Sequence, residues 1–389
     1  MTCDVAVVGA GPAGSVAAAA LARRGARVAL IDGSHPREKP CGGGYTGRAL
    51  ALIETLVAAD ALDGTRIRAA TFLDTPRARD ASVDLMRHGS TLIVASRAVV
   101  DAALLDAAVR AGAHFVAARV AAIAPGHPHV VTTADGERID AAFVIGADGA
   151  NSLVRRTFER AFRRDQLSIA TGFYAHGVTS DTIVIEMTDA PAGYIWSFPR
   201  SNHLAIGICA QAADTTVGAV RNRLVHWLAT TGIAAGARLE AYSWPIPSLA
   251  PRDYTAVPIA GDGWLTVGDA AGLVDPITRE GIFFALQSAL FAADALSLGR
   301  HAAAAAYSAR VRDEIAGELA TAASIKAGFF TPAFTRLLID ALASSANVRS
   351  VMADLVAGMQ SYRSLKWRLA ATMEFGLAWR WWRLGHRPA

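Results

Sequence analysis

A glycine-rich turn near the N-terminus constrains this chain more than any other feature. The apolar run 4–9 leads directly into Gly9-Ala-Gly-Pro-Ala-Gly14, which is followed by an alanine-rich stretch up to Arg24. Such a run is typical of a buried parallel strand, and the alanine-rich stretch is typical of a helix. A second apolar run, residues 27–32, completes the order strand, turn, helix, strand. The sequence therefore predicts that an α/β domain with a Rossmann-like unit begins here.

The spacing within this turn predicts a binding site for a dinucleotide. Gly9 permits a sharp turn, Gly11 lets a diphosphate approach the backbone, and Gly14 lets the helix pack closely on the strand. Ala13 lies in the same turn, just before the predicted helix, whose N-terminus favours a bound anion. Asp32 ends the second strand, where its carboxylate is placed to bind the ribose hydroxyls of an adenosine. These residues alone do not choose between FAD and NAD.

Composition and charge exclude several classes of protein. With 52% hydrophobic and 19% charged residues, the chain is not intrinsically disordered, and its 389 residues allow two or three domains. The formal charge of +4 is mild and forms no basic stripe, so we expect no nucleic-acid partner. The uncharged run 5–22 contains glycines and a proline and follows Asp4, which indicates a buried strand and helix instead of a signal peptide or a membrane span.

The spacing of cysteines and histidines predicts neither disulfides nor a metal site. Cys3, Cys41 and Cys209 are odd in number and far apart, so they form no disulfide framework and no paired metal ligands. The ten histidines show no ligand spacing, and we assign no metal. This pattern fits a reducing compartment best, and we therefore expect a cytoplasmic protein.

Two further glycine-marked turns occur later in the chain. Both consist of a strand, a small-residue turn with an aspartate, and a predicted helix after it: Val144-Ile-Gly-Ala-Asp-Gly-Ala-Asn-Ser-Leu-Val-Arg155 and Gly263-Trp-Leu-Thr-Val-Gly-Asp-Ala-Ala-Gly272. An acid beside small residues at the end of a strand suits a contact with a ribityl hydroxyl or near a phosphate. For Asp269, a role as the N-cap of the following helix is also open.

Together with two more segments, these turns resemble the FAD-binding signatures of the para-hydroxybenzoate-hydroxylase-like flavoproteins. Within that superfamily the sequence is most similar to the geranylgeranyl reductase family. That family's P-R-x-K-P-C-G-x-G, Y-x-W-x-F-P and G-D-A-A-G…P-x-x-G-E-G-I segments resemble residues 35–44, 193–199 and 268–282. The matching segments extend from residue 4 to about residue 300, so the resemblance covers most of the chain.

The resemblance implies FAD as the cofactor and also implies which residues contact it. These residues lie mostly in the three turns and in the loop around Cys41: Gly9, Gly11, Ala13, Gly14, Asp32, Gly42, Gly43, Arg97, Asp148, Gly149, Gly268, Asp269, Gly272, Pro276, Gly281 and Ile282. Cys41 and Gly281 are the implied catalytic positions. Arg97 is implied to contact the phosphate–ribityl region, and a surface ion pair with Asp101, four residues later, is the alternative.

Two residues of the segment 35–44 have alternative interpretations. Cys41 precedes three glycines, which allow close approach of the backbone to a flavin. It is either a proton donor or substrate contact, or a small buried hydrophobic residue in a loop that positions the cofactor. Lys39 is comparable to the lysine that flavin-dependent halogenases place on the route of hypochlorous acid, but it also fits the reductase segment.

A strand of alternating aromatic residues predicts one wall of a substrate pocket. Three neighbouring segments have the pattern of an antiparallel sheet: residues 182–187, 193–199 and 203–209. Tyr194, Trp196 and Phe198 share one face of the middle strand, where they either wall an apolar pocket over the flavin or form ordinary core. Arg279 stands where the family usually has glycine, near the implied position of the isoalloxazine, and we assign it to the same pocket.

The predicted fold class is α/β, or α+β overall. We expect a Rossmann-like FAD-binding domain, an inserted antiparallel sheet that covers the flavin and binds substrate, and a C-terminal helical region. Their predicted ranges are 1–60, 90–165 and 255–300 for the FAD-binding domain, 61–89 and 166–254 for the cover domain, and 301–389 for the helices. The tail 364–389 interleaves tryptophan and arginine, which predicts contact with a membrane interface, a cap on the core, or a partner surface.

These features predict an FAD-dependent oxidoreductase. The favoured function is reduction of a C=C bond in an apolar, isoprenoid-type small molecule or lipid by hydride transfer from reduced flavin. The alternative is an FAD-dependent monooxygenase, or a halogenase-like enzyme, that acts on an aromatic compound, and a flavin-binding accessory factor is a third class. No second glycine-rich turn of this kind follows a strand, so either NAD(P)H docks transiently on the FAD domain or another donor reduces the flavin.

Overall fold

The computed structural model describes residues 1–86, 89 and 91–372. The strands, in chain order, are β1 (Thr2–Val8), β2 (Val28–Ile31), β3 (Gly44–Thr46), β4 (Thr65–Arg66), β5 (Ala69–Asp74), β6 (Arg79–Asp84), β7 (Leu92–Val94), β8 (His114–Val116), β9 (Val120–Ala124), β10 (His129–Thr133), β11 (Arg138–Gly146), β12 (Leu167–His176), β13 (Thr182–Asp189), β14 (Ala192–Pro199), β15 (His203–Gln211), β16 (Arg238–Pro247), β17 (Ala260–Gly261) and β18 (Trp264–Thr266). The α-helices are α1 (Pro12–Arg23), α2 (Gly47–Ile53), α3 (Arg97–Arg110), α4 (Leu153–Phe158), α5 (Val217–Thr231), α6 (Asp253–Ala256), α7 (Ile282–Leu296), α8 (Arg300–Val311), α9 (Gly317–Phe329), α10 (Pro332–Ser344), α11 (Ala346–Val356) and α12 (Tyr362–Ala371).

An eight-stranded sheet carries the three glycine-marked turns. Its order is β17-β18-β11-β1-β2-β8, and β10 and β9 extend it beside β11. Strands β18, β11, β1, β2 and β8 are parallel. Because helices cover one face and β9, β10 and α4 pack on the other, residues 5–8 of β1 are all apolar and buried: Val5 and Val7 face α1, α3 and α7, and Ala6 and Val8 face away from them. The carboxyl ends of β1, β11 and β18 lie at one edge, where each strand enters one of the predicted turns.

A seven-stranded sheet, in the order β16-β12-β15-β14-β13-β5-β6, forms the second layer. Helix α5 packs on one face of this sheet through Val220, Leu224 and Trp227, while Trp196 and Cys209 belong to an aromatic cluster on the opposite face. The predicted antiparallel pairing is correct for all neighbouring strands among β12, β13, β14, β15 and β16. It is wrong for one pair, since β13 lies parallel to β5. More than a hundred residues, which include strands of all three sheets, separate β5 from β13 in the chain, so no hairpin dictates their direction.

The C-terminal helices pack against the second sheet and against the helical face of the first. Helices α10 and α11 contact β5 and β6, and α7 packs on α1. The helices after the third turn are interrupted twice, since α7 ends at Leu296 and a π-helical turn at Arg312–Ala316 separates α8 from α9. Within residues 1–86, 89 and 91–372, no helix is both long and apolar enough to cross a membrane.

The mixed α/β fold class predicted from the sequence is confirmed by this architecture. Strands β3, β7 and β4 form a third, small sheet in that order. The proposed domain boundaries remain predictions. Residues 373–389, which hold the interleaved tryptophans and arginines, lie outside the described residues.

Candidate cofactor site and active-site cavity

Gly9 and Gly14 are fixed by packing at the first turn. Gly9 has φ +103°, and a Cβ on it would lie 2.4 Å from the Ala147 carbonyl oxygen. A Cβ on Gly14 would lie 1.8 Å from the Gly9 carbonyl oxygen, so α1 approaches β1 as closely as the sequence predicts. Because Ala147 belongs to the second turn, the first two glycine-marked turns are in direct contact.

Gly11 differs from these two glycines because the space that a side chain would occupy is open. The atom nearest to a Cβ on Gly11 would be Nε2 of His35 at 3.6 Å, followed by a terminal nitrogen of Arg97 at 4.0 Å. Gly11 is also the N-cap of α1, and no side chain caps that helix. The open backbone, the uncapped helix N-terminus and two nitrogen-bearing side chains therefore meet at one point, which suits an anion.

Asp32 accepts hydrogen bonds from several groups of the protein. Its Oδ2 accepts from the Ala10 amide at 2.9 Å and from Nδ1 of His35 at 2.8 Å, and its Oδ1 accepts from the Ser34 amide at 2.6 Å. Burial alone would raise the pKa of Asp32, but the hydrogen bond and charge of His35, with these amides, hold it well below its usual range. An adenosine ribose would have to replace one of these donors, and the ribose contact of Asp32 stays a prediction.

Arg97 is buried, with 3% of its surface exposed, and it pairs with Asp101 through two hydrogen bonds of 2.9 and 2.8 Å. The ion pair considered as an alternative therefore exists, but it lies in the interior and not at the surface. Since Arg97 also lines the cavity described below, pairing with Asp101 and facing a cofactor are compatible. Its contact with FAD remains a prediction.

The loop around Cys41 connects the first turn to the third. Nζ of Lys39 lies 2.9 Å from Oδ2 of Asp269, and both side chains are mostly buried. Asp269 makes no capping hydrogen bond to its own turn, and the helix that follows begins only at Ile282. The N-cap interpretation of Asp269 is therefore wrong, because ten residues of irregular chain separate this carboxylate from the helix.

The glycines after Cys41 bring this loop against the aromatic strand. Gly43 has φ +76°, and a Cβ there would lie 2.3 Å from the Ala95 carbonyl oxygen. A Cβ on Gly42 would lie 3.2 Å from the Phe198 ring, so the Gly42 backbone packs directly against this ring. The Gly43 amide donates to Sγ of Cys41 at 3.2 Å, which fixes the side chain of Cys41 at the edge of the cavity.

Arg200 is a residue of this loop region that the sequence reasoning missed. It is fully buried, forms an ion pair with Glu38, and donates to the Cys41 carbonyl oxygen at 2.8 Å. Burial alone would raise the pKa of Glu38, but the charge of Arg200 and the Ser96 hydroxyl lower it. The only sequence signal was an arginine directly after the aromatic strand, and nothing in its spacing points to Glu38, 162 positions away.

In the second turn, the carboxylate of Asp148 caps the N-terminus of the following helix, α4. Oδ2 of Asp148 accepts from the amides of Leu153 at 2.6 Å and Val154 at 3.3 Å, at the start of α4. Burial raises the pKa of Asp148, and its other oxygen is buried without a hydrogen-bond partner in the described part of the chain. Gly149 has φ +78° with open space around it. Contacts of Asp148 and Gly149 with FAD stay predictions.

In the third turn, Arg279 adopts the conformation that glycine favours. Its φ is +60°, so the loop keeps a left-handed residue although glycine is replaced. Its guanidinium donates to the Ser248 hydroxyl at 2.7 Å, and Nζ of Lys326 donates to the same oxygen at 3.0 Å. Burial, together with the charge of Arg279, lowers the pKa of Lys326 to about 7.

The other predicted residues of the third turn divide into packing and cavity positions. Gly268, with φ +56°, and Gly272, with φ +77°, are buried in the turn. Pro276 is also buried, and its carbonyl oxygen accepts from Arg279. Gly281 and Ile282 line the cavity, and a Cβ on Gly281 would lie 3.2 Å from Oδ1 of Asp269.

One cavity joins the Cys41 loop, the third turn and the aromatic strand. Tyr194, Trp196 and Phe198 line it from one face of β14, as the alternation predicts, together with Arg279. The Tyr194 hydroxyl donates to the Thr278 carbonyl oxygen at 2.5 Å and so ties the sheet to the third turn. The far part of the cavity is apolar and is lined by the second sheet and the C-terminal helices: Phe72, Ile183, Ile185, Met187, Phe329, Phe334, Leu338, Met352, Leu355 and Val356.

The residues present fit FAD. The space beside the Cα of Gly11 is open, and even the methyl group of an alanine at this position would project into it. The buried Nε2 of His35 lies beside this space and has no hydrogen-bond partner among the described residues. A diphosphate supplies acceptor oxygens for these donors. The cavity at the Cys41 loop then suits the flavin end of the same molecule.

Comparison with known proteins supports FAD as the cofactor. The family model for an FAD binding domain matches residues 2–306. A menaquinone reductase of Mycolicibacterium smegmatis is 31% identical over 325 residues, which cover 76% of this chain and 76% of that protein. A digeranylgeranylglycerophospholipid reductase of Methanothrix thermoacetophila is 31% identical over 353 residues, which cover 85% of this chain and 88% of that protein.

A solved structure shows the same fold over nearly the whole chain. It is a geranylgeranyl bacteriochlorophyll reductase-like protein of Thermoplasma acidophilum, with a TM-score of 0.78 and 22% identity, covering 95% of this chain and 99% of that one. The resemblance predicted from the sequence segments is confirmed by these relatives. The chain therefore belongs to the family of proteins with this FAD-binding domain, and it is a geranylgeranyl-reductase-like FAD-dependent oxidoreductase.

Proposed function

We propose that this protein reduces a C=C bond in an isoprenoid-type chain, which it binds in the apolar part of its cavity. The observation that carries this proposal is the composition of that part. It extends from the Cys41 loop between the second sheet and helices α10 and α11, and its lining there consists of aliphatic, aromatic and methionine side chains. Transfer of a hydrocarbon chain from water to such a lining gains about 0.8 kcal/mol for each buried CH₂ group.

The names of the relatives support the same class of substrate. The similar proteins are called a menaquinone reductase and a digeranylgeranylglycerophospholipid reductase, and both names describe molecules with prenyl chains. A lipid or a prenylated small molecule is therefore the substrate class we favour for this chain.

Bound FAD, once reduced, supplies a hydride to one carbon of the C=C bond and is itself oxidised. The second carbon needs a proton. The Cys41 thiol is a candidate donor, because it lies at the cavity wall and the Gly43 amide fixes its position. Gly281 also lines the cavity, and a Cβ on it would crowd Oδ1 of Asp269 at 3.2 Å, so glycine lets the backbone lie close to this carboxylate. We propose Cys41 and Gly281 as the positions nearest to the reaction, and NAD(P)H or another two-electron donor as the source of reducing equivalents.

Oxygen chemistry on an aromatic compound is the competing function. Its halogenase-like form would give Lys39 a role in the reaction, whereas the ion pair of Lys39 with Asp269 gives this lysine a structural role between two parts of the site. The ion pair therefore argues against the halogenase-like form, and the oxygen dependence of product formation separates the reductase from any oxygen-using enzyme.

Single-turnover experiments without oxygen test the proposal. Flavin in the purified protein is photoreduced and mixed with geranylgeranyl diphosphate or a digeranylgeranyl glycerophospholipid, which carry C=C bonds but no quinone ring that could oxidise the flavin directly. We expect reoxidation of the flavin with at least one of these, and none with the corresponding saturated chain. Absence of reoxidation with every prenyl compound, together with an oxygen-dependent product from an aromatic compound, would contradict the proposal.

A pair of methionine variants tests the apolar part of the cavity. Met352→Trp fills this part, so we expect a raised KM for the prenyl substrate and unchanged affinity for FAD. Met359→Trp makes the same replacement at a side chain that is 65% exposed, and we expect no change. Equal effects of the two variants would place the substrate elsewhere.

We also propose peripheral contact with a membrane through the segment that starts at residue 364. Trp367 in α12 is 70% exposed, and Lys366 lies over its ring at 5.1 Å, an arrangement suited to a membrane interface. In flotation with anionic vesicles, Trp367→Glu should reduce the bound fraction relative to the wild type. Equal flotation of both proteins would exclude this contact.

A further inference from the structure

His35 lies beside the open turn and is not explained by the packing of the loop. Its side chain is 11% exposed, and its Nδ1 is 2.8 Å from Oδ2 of Asp32. Its Nε2 is buried, has no hydrogen-bond partner among residues 1–86, 89 and 91–372, and is 3.5 Å from Oδ2 of Asp101. The same atom is 3.6 Å from the point that a Cβ on Gly11 would occupy. This nitrogen therefore faces the position where the turn admits a diphosphate.

The hydrogen bond to Asp32 decides which protons His35 carries. The pKa of Asp32 is held well below its usual range, so this carboxylate is ionised and accepts a hydrogen bond from the Nδ1–H group of His35. A neutral imidazole has one N–H group, and Nε2 would then present a lone pair. That lone pair would point toward the Asp101 carboxylate and toward an incoming phosphate oxygen, and both are repulsive. Only the doubly protonated ring donates from Nε2.

The charges around the ring also favour a doubly protonated His35 when a diphosphate binds. The groups that face His35 are Asp32 on its own loop and Asp101 and Arg97 on α3. Helix α1 adds none, because its charged residues lie at its C-terminal end. With a neutral His35 this set has one more carboxylate than cations, which disfavours a diphosphate. A proton on His35 balances the set, and the negative charge of an arriving diphosphate draws this proton onto the ring.

We propose that His35 binds the diphosphate of FAD through an Nε2–H donor, and that binding of FAD is coupled to uptake of a proton by this ring. Asp32 and Asp101 are then positioning residues that favour the charged ring, and Arg97 is the second cation at the diphosphate. This inference rests on the assignment of FAD and is independent of the proposed substrate.

Calorimetric titration of the full-length apoprotein with FAD tests the coupling. At pH 8 a free imidazole is neutral, so we expect uptake of up to one proton per FAD, measured in two buffers with different enthalpies of ionisation. Over the range where the ring must gain this proton, the Kd for FAD should rise by up to about tenfold for each pH unit.

Variants and ligand fragments locate the proton. His35→Gln cannot be charged, and we expect it to remove the proton uptake and to weaken FAD binding at pH 6. The control His301→Gln changes an exposed histidine on α8 and should leave both unchanged. ADP should show the same proton uptake as FAD in the wild type, and adenosine, which lacks the diphosphate, should show none.

The outcomes separate this inference from the assignment on which it rests. Binding of FAD at pH 8 without proton uptake would overturn the role of His35, and so would equal uptake in His35→Gln and the wild type. Because the first measurement uses the wild type alone, it holds even where a variant fails to fold. An apoprotein that binds neither FAD nor ADP would refute the assignment of FAD itself.

Discussion

Substitution of Gly11 by alanine separates folding from cofactor binding. A Cβ at this position meets no atom closer than 3.6 Å, and its φ of −69° and ψ of −175° are ordinary for alanine. The new methyl group would nevertheless project into the space between the α1 N-terminus and His35. We therefore expect Gly11→Ala to fold normally and to bind FAD poorly.

The size of both effects follows from the structure. Loss of the glycine N-cap costs up to about 1 kcal/mol in the free energy of unfolding of the apoprotein. The methyl group would push the diphosphate away from the turn by about its own radius. The diphosphate would then lose at least one hydrogen bond to a charged group, which is worth about 1.5–3 kcal/mol. The Kd for FAD should consequently rise by roughly tenfold to a hundredfold.

Two other glycines provide the controls. Gly14→Ala places a Cβ 1.8 Å from the Gly9 carbonyl oxygen, so we expect it to destabilise the apoprotein itself by about 3 kcal/mol or more. A Cβ at Gly218, in α5, meets nothing within 4 Å, and Gly218→Ala should change neither quantity by more than about 1 kcal/mol.

Urea unfolding of each apoprotein and quenching of flavin fluorescence on binding measure the two quantities. Gly11→Ala with wild-type affinity for FAD would refute the assignment of this turn to the diphosphate. A strongly destabilised Gly11→Ala would show instead that the open side is needed for packing.

Two further predictions concern buried cations. Arg200→Met leaves Glu38 without its ion-pair partner and the Cys41 carbonyl without a donor; it should cost about 3 kcal/mol in urea unfolding, and Glu38→Gln should recover part of this loss in the double variant. A single-variant loss below about 1 kcal/mol would contradict this account. The pKa of Lys326 falls from 10.5 to about 7 on folding, so between these pH values the unfolded chain binds a proton that the folded chain lacks. The free energy of unfolding should therefore rise with pH across this window relative to Lys326→Met, and parallel pH profiles would refute the burial of this amine.

The sequence predicts the glycine turns well because local geometry dictates them. Gly9 and Gly14 are needed for contacts within one strand–turn–helix unit, and such contacts depend on residues close together in the chain. The alternation at Tyr194, Trp196 and Phe198 likewise follows from the two-residue period of a strand.

Features that depend on distant segments were not predictable in the same way. The pairing of Arg200 with Glu38 joins two loops from different sheets, and the parallel pairing of β13 with β5 depends on how the chain returns to the second sheet. Helices α10 and α11 carry no motif, yet they supply much of the apolar lining of the cavity. Their role follows from where they pack and not from any residue type.

Arg279 illustrates a third case. It stands where the family segment has glycine, and its backbone adopts φ +60°, a conformation that glycine favours. Hydrogen bonds from the guanidinium to Ser248 and to the Pro276 carbonyl hold the side chain outside the turn. The sequence identified the unusual position, and only the three-dimensional neighbours explain how arginine is accommodated.

Product analysis after one anaerobic turnover tests the central claim most directly. Reduced, FAD-loaded protein is mixed with a prenyl substrate in heavy water, and the product is examined by mass spectrometry. Our account predicts one saturated C=C bond per FAD, with deuterium on the carbon that takes up the proton, and on the other carbon as well where the N–H hydrogen of the reduced flavin has exchanged with heavy water. An unchanged prenyl chain without oxygen, together with a product that contains an added oxygen atom after air is admitted, would contradict it.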